Sequence, residues 1–130
     1  MTSLTALGND ATSALVSLAL DAAASKHLAI AQNIANANNE GYRPLRVEFD
    51  RQLALFRNEL LDRGDDARAT RLVDTLRSST VATEEPQAAA KVQLDVEVAK
   101  MAENTVHYQA LLAARGKMAS LVRIAINGGR

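Results

Sequence analysis

Residues 29–42 read Ala-Ile-Ala-Gln-Asn-Ile-Ala-Asn-Ala-Asn-Asn-Glu-Gly-Tyr, a helix that runs and then stops. Ala29, Ile30 and Ile34 keep helical spacing, so one face of this stretch is expected to be buried. Beyond it, Asn36, Asn38 and Asn39 compete for backbone hydrogen bonds and weaken a helix. Gly41 supplies the left-handed conformation that ends helices at low cost. Pro44 keeps Arg43 out of the helical region and cannot itself continue the helix. A helix therefore exits into an extended segment at a defined point.

Upstream of the exit, the pattern from Ala11 to Asn36 is helical. Leu15, Leu18, Ala22, Ala29 and Ile34 fall close to a 3–4 repeat, and Val16, Leu20, Ala23, Ala31 and Ala35 form a second stripe. A helix apolar on more than one face is buried on more than one side. About 26 residues rising ~1.5 Å each make a rod of roughly 40 Å. Residues 1–10 are polar and contain Gly8, and are expected to be a disordered tail; Thr5, Asn9 or Asp10 is a candidate helix cap.

Downstream, residues 43–50 alternate, with Leu45, Val47 and Phe49 on one side and Arg46 and Glu48 on the other. This is the pattern of a short half-buried strand or extended arm. Phe49, Leu53, Phe56 and Leu60 then recur at helical spacing, with Gly64 as a stop. In residues 65–90 the signal is weakest. Leu72, Val73 and Leu76 suggest one or two amphipathic turns, while residues 78–80 and 83–86 read as loop.

The last segment, from about Leu94 to Ile126, has no proline, and Asp95, Glu97 and Arg123 sit at the ends the macrodipole favours. Leu94, Val98, Met101, Tyr108 and Leu112 step by fours and threes, with Thr105 filling the gap. The stripe then shifts to Leu111, Ala114, Met118, Leu121 and Ala125, a coiled-coil seam sustained over about four heptads, ended by residues 127–129. The expected fold is mainly α: two long terminal helices paired as an antiparallel coiled coil. Residues 11–42 and 92–127 form its core, and 43–91 an extended arm, a short helix and a small, partly helical polar insert.

Composition narrows the function. Of the 130 residues 48% are apolar but only 3% aromatic, and alanine is abundant, so each buried side chain removes little area from water. Part of the burial is therefore expected to come from neighbouring subunits. Fifteen basic and fifteen acidic residues cancel, which argues against a nucleic-acid partner held by charge. Arginines crowd between Arg43 and Arg77 but are interleaved with acids from Glu48 to Asp74, the pattern of a solvated mixed-charge surface.

There is no cysteine, hence no disulfide or thiol chemistry. No apolar run is expected to span a bilayer, since Asp21, Lys26 and His27 interrupt the best candidate, and no basic patch precedes an apolar core as in a Sec-type signal peptide. His27 and His107 lie on different helices without the ligand spacing of a metal site. Asp65-Asp66 and Glu84-Glu85 stand in polar sequence with nothing to desolvate them as acid–base pairs. With no phosphate loop or nucleophile elbow either, no catalytic residue, cofactor, metal or small-molecule substrate is expected.

Asn33-Ile34-Ala35-Asn36 followed by Gly41-Tyr42-Arg43 resembles the N-terminal signature of the bacterial flagellar axial proteins, the rod, hook and hook-associated subunits. The family pattern has Thr-Pro where this chain has Asn39-Glu40, so the turn loses a proline and keeps its glycine and tyrosine. Leu94-Asp95-Val96-Glu97, continuing into Ala99-Lys100-Met101-Ala102-Glu103-Asn104 and then Tyr108-Gln109-Ala110-Leu111, resembles the C-terminal helix of the small proximal rod subunits. Together the two matches cover roughly two thirds of the chain.

The resemblance implies a structural subunit without enzymatic activity, packing paired terminal helices into the wall of a periplasmic drive shaft in the flagellar basal body. It implies further copies of the chain, neighbouring rod subunits, the rod adaptor protein and the MS ring as partners. It also implies passage through the flagellar type III export apparatus without a cleavable signal. Phe49-x-x-x-Leu53 and Phe56-x-x-x-Leu60 match the pattern thought to engage the export gate, although any amphipathic helix contains it. Asn33, Ile34, Asn36, Gly41 and Tyr42 are candidate assembly residues on one helix, and Met101, Asn104, Tyr108 and Leu112 on the other. Asn33 is expected to hydrogen-bond across to the partner helix, with Asn104 answering it, as polar seam residues fix register. Two alternatives remain: a sister rod subunit, and a cytoplasmic helical bundle acting as an adaptor or chaperone.

Overall fold

The helix that carries residues 29–35 is α1, which spans Thr2–Ala35 in the computed structural model. The structure describes residues 2–51, 53–54, 58, 66–79, 82–84 and 91–128. After α1 come strand β1 (Leu45–Val47), helix α2 (Asp66–Ser79), strand β2 (Ala82–Glu84) and helix α3 (Leu94–Gly128). The protein is mainly helical, and its long N- and C-terminal helices pack against each other. Residues 2–10, read from sequence as a tail, are the first turns of α1. Leu4, Ala6 and Leu7 are good helix formers, and one interior glycine, Gly8, costs a helix only about 1 kcal/mol.

Two packing centres lie along α1. At the first, Leu18 is 1% exposed against Val73 and Leu76 of α2, with Ala14, Leu15, Phe49, Leu53 and Leu72 packed around them. The three-residue step from Val73 to Leu76 is the inward stripe of a 14-residue amphipathic helix, longer than the one or two turns its sequence suggests. The second centre, nearer the exit, is built of small side chains: Ala22, Ala23 and Ala29 are buried beside Ile30. Alanines let a neighbouring helix approach closely, and α3 lies near enough for the Asn104 side-chain amide to reach the Ala23 carbonyl at 2.8 Å.

The arm alternates as its sequence requires, with Leu45 and Val47 half-buried and Arg46 exposed. It is not a lone arm. β1 pairs antiparallel with β2, in the register Leu45 with Glu84, Arg46 with Thr83 and Val47 with Ala82. The sequence reads Thr83 and Glu84 as loop, because two acidic residues before a proline carry no strand signal of their own. What makes them a strand is the open hydrogen-bonding edge of β1.

In α3 the seam differs from the one its sequence proposes. Leu94, Val98 and Leu112 are exposed, while the least accessible line runs through Glu97, Met101, Asn104, Leu111 and Met118. Its first fully buried members, Glu97 and Asn104, are polar. Met101, Leu111 and Met118 belong to the seam the sequence proposes, whereas Glu97 and Asn104, being polar, are passed over by an apolar-periodicity argument.

Residues 12–35 of α1 form a helix long and apolar enough to cross a membrane by length and composition. The sequence reading that charge interrupts this segment is therefore corrected: its charged residues, Asp21 and Lys26, are too few to break the window. Its apolar face packs on α2, β1 and α3, and a soluble protein's core helix meets the same criteria.

Candidate functional site: the Asn33 junction and the groove beside it

The exit of α1 is closed by asparagine side chains. The Asn36 side-chain amide donates to the Gln32 carbonyl at 2.8 Å, and that of Asn39 donates to the Asn36 side-chain oxygen at 2.7 Å. The Gln32 carbonyl also accepts from the Asn36 N–H at 3.0 Å, and the orphan carbonyls of Ile34 and Asn36 accept from the Ala37 and Asn39 N–H groups at 3.3 and 3.0 Å. The Tyr42 N–H then donates to the Asn39 carbonyl at 3.3 Å, with Gly41 at φ 79°. This matches a type II turn, whose third residue needs positive φ. Glu40 stands at the second position, where proline is common but not required.

Asn33 is 1% exposed and uses every hydrogen-bonding position it has. Its amide nitrogen donates to the Leu45 carbonyl at 2.9 Å and to Glu97 Oε2 at 3.1 Å. Its oxygen accepts from the Leu45 N–H at 2.7 Å and from the Tyr42 hydroxyl at 2.9 Å. The amide orientation follows from this set, since the reversed group would press NH2 against an N–H donor. Asn33 thus treats Leu45 as a neighbouring strand residue would, bonding both its N–H and its C=O. Glu97, 5% exposed, accepts from Lys100 Nζ at 3.1 Å through its other oxygen. Among the described residues no buried side-chain polar atom lacks a partner.

The expected Asn33–Asn104 pair is corrected. Both asparagines bond across to the opposite helix, but to different groups: Asn33 to Glu97, and Asn104 to the backbone of residue 23. Glu97 is the member of the site that sequence reasoning missed. Its signal was present, a carboxylate seven residues before Asn104 and so on the same helical face.

The remaining candidates separate. Ile34 and Met101 are half-buried, Leu112 is exposed, and Tyr108 is at the margin of exposure. Tyr108 and Thr105 of α3, with Ala24, His27 and Leu28 of α1, line an apolar groove of about 430 Å³ that has Ala23 and Asn104 at its base. His107 lies on the other side with Lys26 and Asp50, around a space of about 30 Å³ that suits one water-sized group. Both histidines are exposed, and no group of three or more metal-ligating side chains occurs among the described residues. Phe49 and Leu53 pack on the Leu18 cluster; Phe56, Leu60, Asp65 and Glu85 lie outside the described residues.

The fold and site together define a paired-helix protein whose exit turn is clamped to its C-terminal helix by buried polar groups. No family model and no curated protein matches the chain.

Proposed function

We propose that the chain is a structural subunit of the bacterial flagellar basal-body rod, similar to the proximal rod protein FlgB, working by assembly and without catalysis. The observation that carries the assembly reading is the surface of α3. Leu112, Leu121, Val122, Ile124 and Ile126 are all exposed, and at ~100° per residue they spread over roughly two thirds of the helix circumference. A helix apolar on most sides needs neighbours on most sides.

In this reading α1 and α3 pair as an antiparallel coiled coil. Supporting it, residue 33 meets residue 97 while residue 23 meets residue 104, and burial along α3 recurs at seven-residue steps. The groove beside Leu28 and Tyr108 continues that interface and offers an alanine-rich base to a helix of a second copy. The flagellar assignment rests on the two sequence resemblances. The partners are then further copies, adjacent rod subunits, the rod adaptor protein and the MS ring in the periplasm. The type III export apparatus would handle the chain unfolded, when Phe49 and Leu53 are free of the core. The sister rod protein FlgC is the near alternative.

The test is to purify hook-basal bodies from a bacterium carrying this chain and to identify their proteins by mass spectrometry. Recovery of the chain with the rod is expected. Its absence from intact basal bodies, with the chain abundant in the cytoplasm, overturns the assignment in favour of an adaptor or chaperone.

A further inference from the structure

We propose that Asn33 is a coupling residue: it makes the position of the arm conditional on the docking of α3. The inference concerns the fold of the single chain and stands whether or not the flagellar reading holds. One buried side chain joins three parts of the molecule. Its backbone belongs to α1, three of its four hydrogen bonds go to Tyr42 and Leu45, and the fourth goes to Glu97 on α3. Those four bonds need two donors on one atom and two acceptor sites on another, held at this length from the helix. Among side chains only the asparagine amide meets that need here: aspartate lacks the donors, and glutamine sets the amide one carbon further out.

When α3 leaves, Glu97 takes away one acceptor, and a wall that keeps the junction dry leaves with it. The Asn33 amide then holds a buried donor without a partner, and water reaches the bonds to Leu45. The favourable course is for the amide to turn towards water, which releases the arm and, through β1, its pairing with β2. The coupling is reciprocal: an arm held on Asn33 orients the amide for Glu97 and favours α3 docking. Asn104 makes no part of this relay. Its bond to the Ala23 carbonyl also joins α1 to α3 but touches neither the turn nor the arm. It therefore serves as the internal control for general loosening of α3.

The test is amide hydrogen exchange on the full-length chain, under conditions where circular dichroism shows it helical, reading the Leu45 N–H. Glu97→Met fills the space but accepts no hydrogen bond, and is expected to speed Leu45 exchange about tenfold or more, the effect of losing a hydrogen bond to a charged group. Glu97→Gln, whose amide oxygen still accepts, is expected to restore protection to within about threefold of the parent. Asn104→Ala is expected to change Leu45 exchange far less than Glu97→Met does. Unchanged Leu45 exchange in Glu97→Met overturns the proposal, and so does a failure of Glu97→Gln to restore protection. If Glu97→Met does not fold, Tyr42→Phe reads the same coupling from the other end. Losing that hydroxyl is expected to speed exchange at the Lys100 and Met101 amides severalfold, and unchanged rates there overturn the coupling.

Discussion

At Asn33, four hydrogen bonds meet a side chain that water does not reach, so a substitution there leaves several groups unpaired at once. Asn33→Ala strands the Leu45 N–H and C=O and removes a donor from the buried Glu97 carboxylate. Unpaired buried groups of this kind cost about 3–5 kcal/mol in sum, and urea titration of the folded protein should show a loss of that size. Asn33→Asp is expected to be at least as harmful, because its carboxylate oxygen would face that of Glu97 and the Leu45 carbonyl. At Gly41 the cost has another origin. A Cβ there meets no atom within 4 Å, so Gly41→Ala suffers backbone strain alone at φ +79°. A loss of about 1–2 kcal/mol is expected in the same titration. The turn was legible at this scale, since Gly41 and the asparagines announce it. The identity of the Asn33 partners was not, since they lie 9, 12 and 64 residues away.

Helix α1 is a single element with two kinds of burial. Around Leu18 it works by area, through large side chains packed on α2. Leu18→Ala is expected to cost about 3 kcal/mol through the cavity it leaves, measured as a lowered unfolding midpoint. Around Ala22 and Ala23 it works by closeness, which lets Asn104 reach a backbone carbonyl. The existence of α1 and α3 could be read from apolar spacing and the absence of proline. The face of α3 that turns inward could not. Periodicity favours Leu94 and Val98, and the polar bonds of Glu97 and Asn104 select the next face round. Leu94, Val98 and Leu112 are thereby left outward, where Leu28 of α1 is also 65% exposed. Leu28→Glu should accordingly leave monomer stability within about 0.5 kcal/mol. In the assembly reading the same variant abolishes concentration-dependent association, as followed by analytical ultracentrifugation. Association unchanged by Leu28→Glu would remove the groove from the interface.

For the whole molecule, eight apolar side chains are fully buried among the described residues, three of them alanines, while the large exposed ones gather on α3. In the assembly reading such a chain gains stability by association, and its melting temperature is expected to rise with protein concentration. Thermal melting followed by circular dichroism at two concentrations, with sedimentation alongside, decides between the two leading readings. A broad, concentration-dependent melt fits a subunit that orders on assembly. A sharp, concentration-independent transition of a discrete species fits a self-contained bundle.

The amino-acid sequence by itself determined the long terminal helices, the stop at residues 36–42 and the alternating arm. Each of these follows from preferences acting over a few neighbouring residues, such as capping, turn geometry and periodic burial. Only the tertiary structure decided that residues 82–84 form a strand, that Glu97 and not Asn104 answers Asn33, and that a polar line on α3 faces inward. These outcomes depend on donors and acceptors brought together from distant parts of the chain. A buried amide must bond whatever group the fold sets beside it, and no local pattern specifies that group.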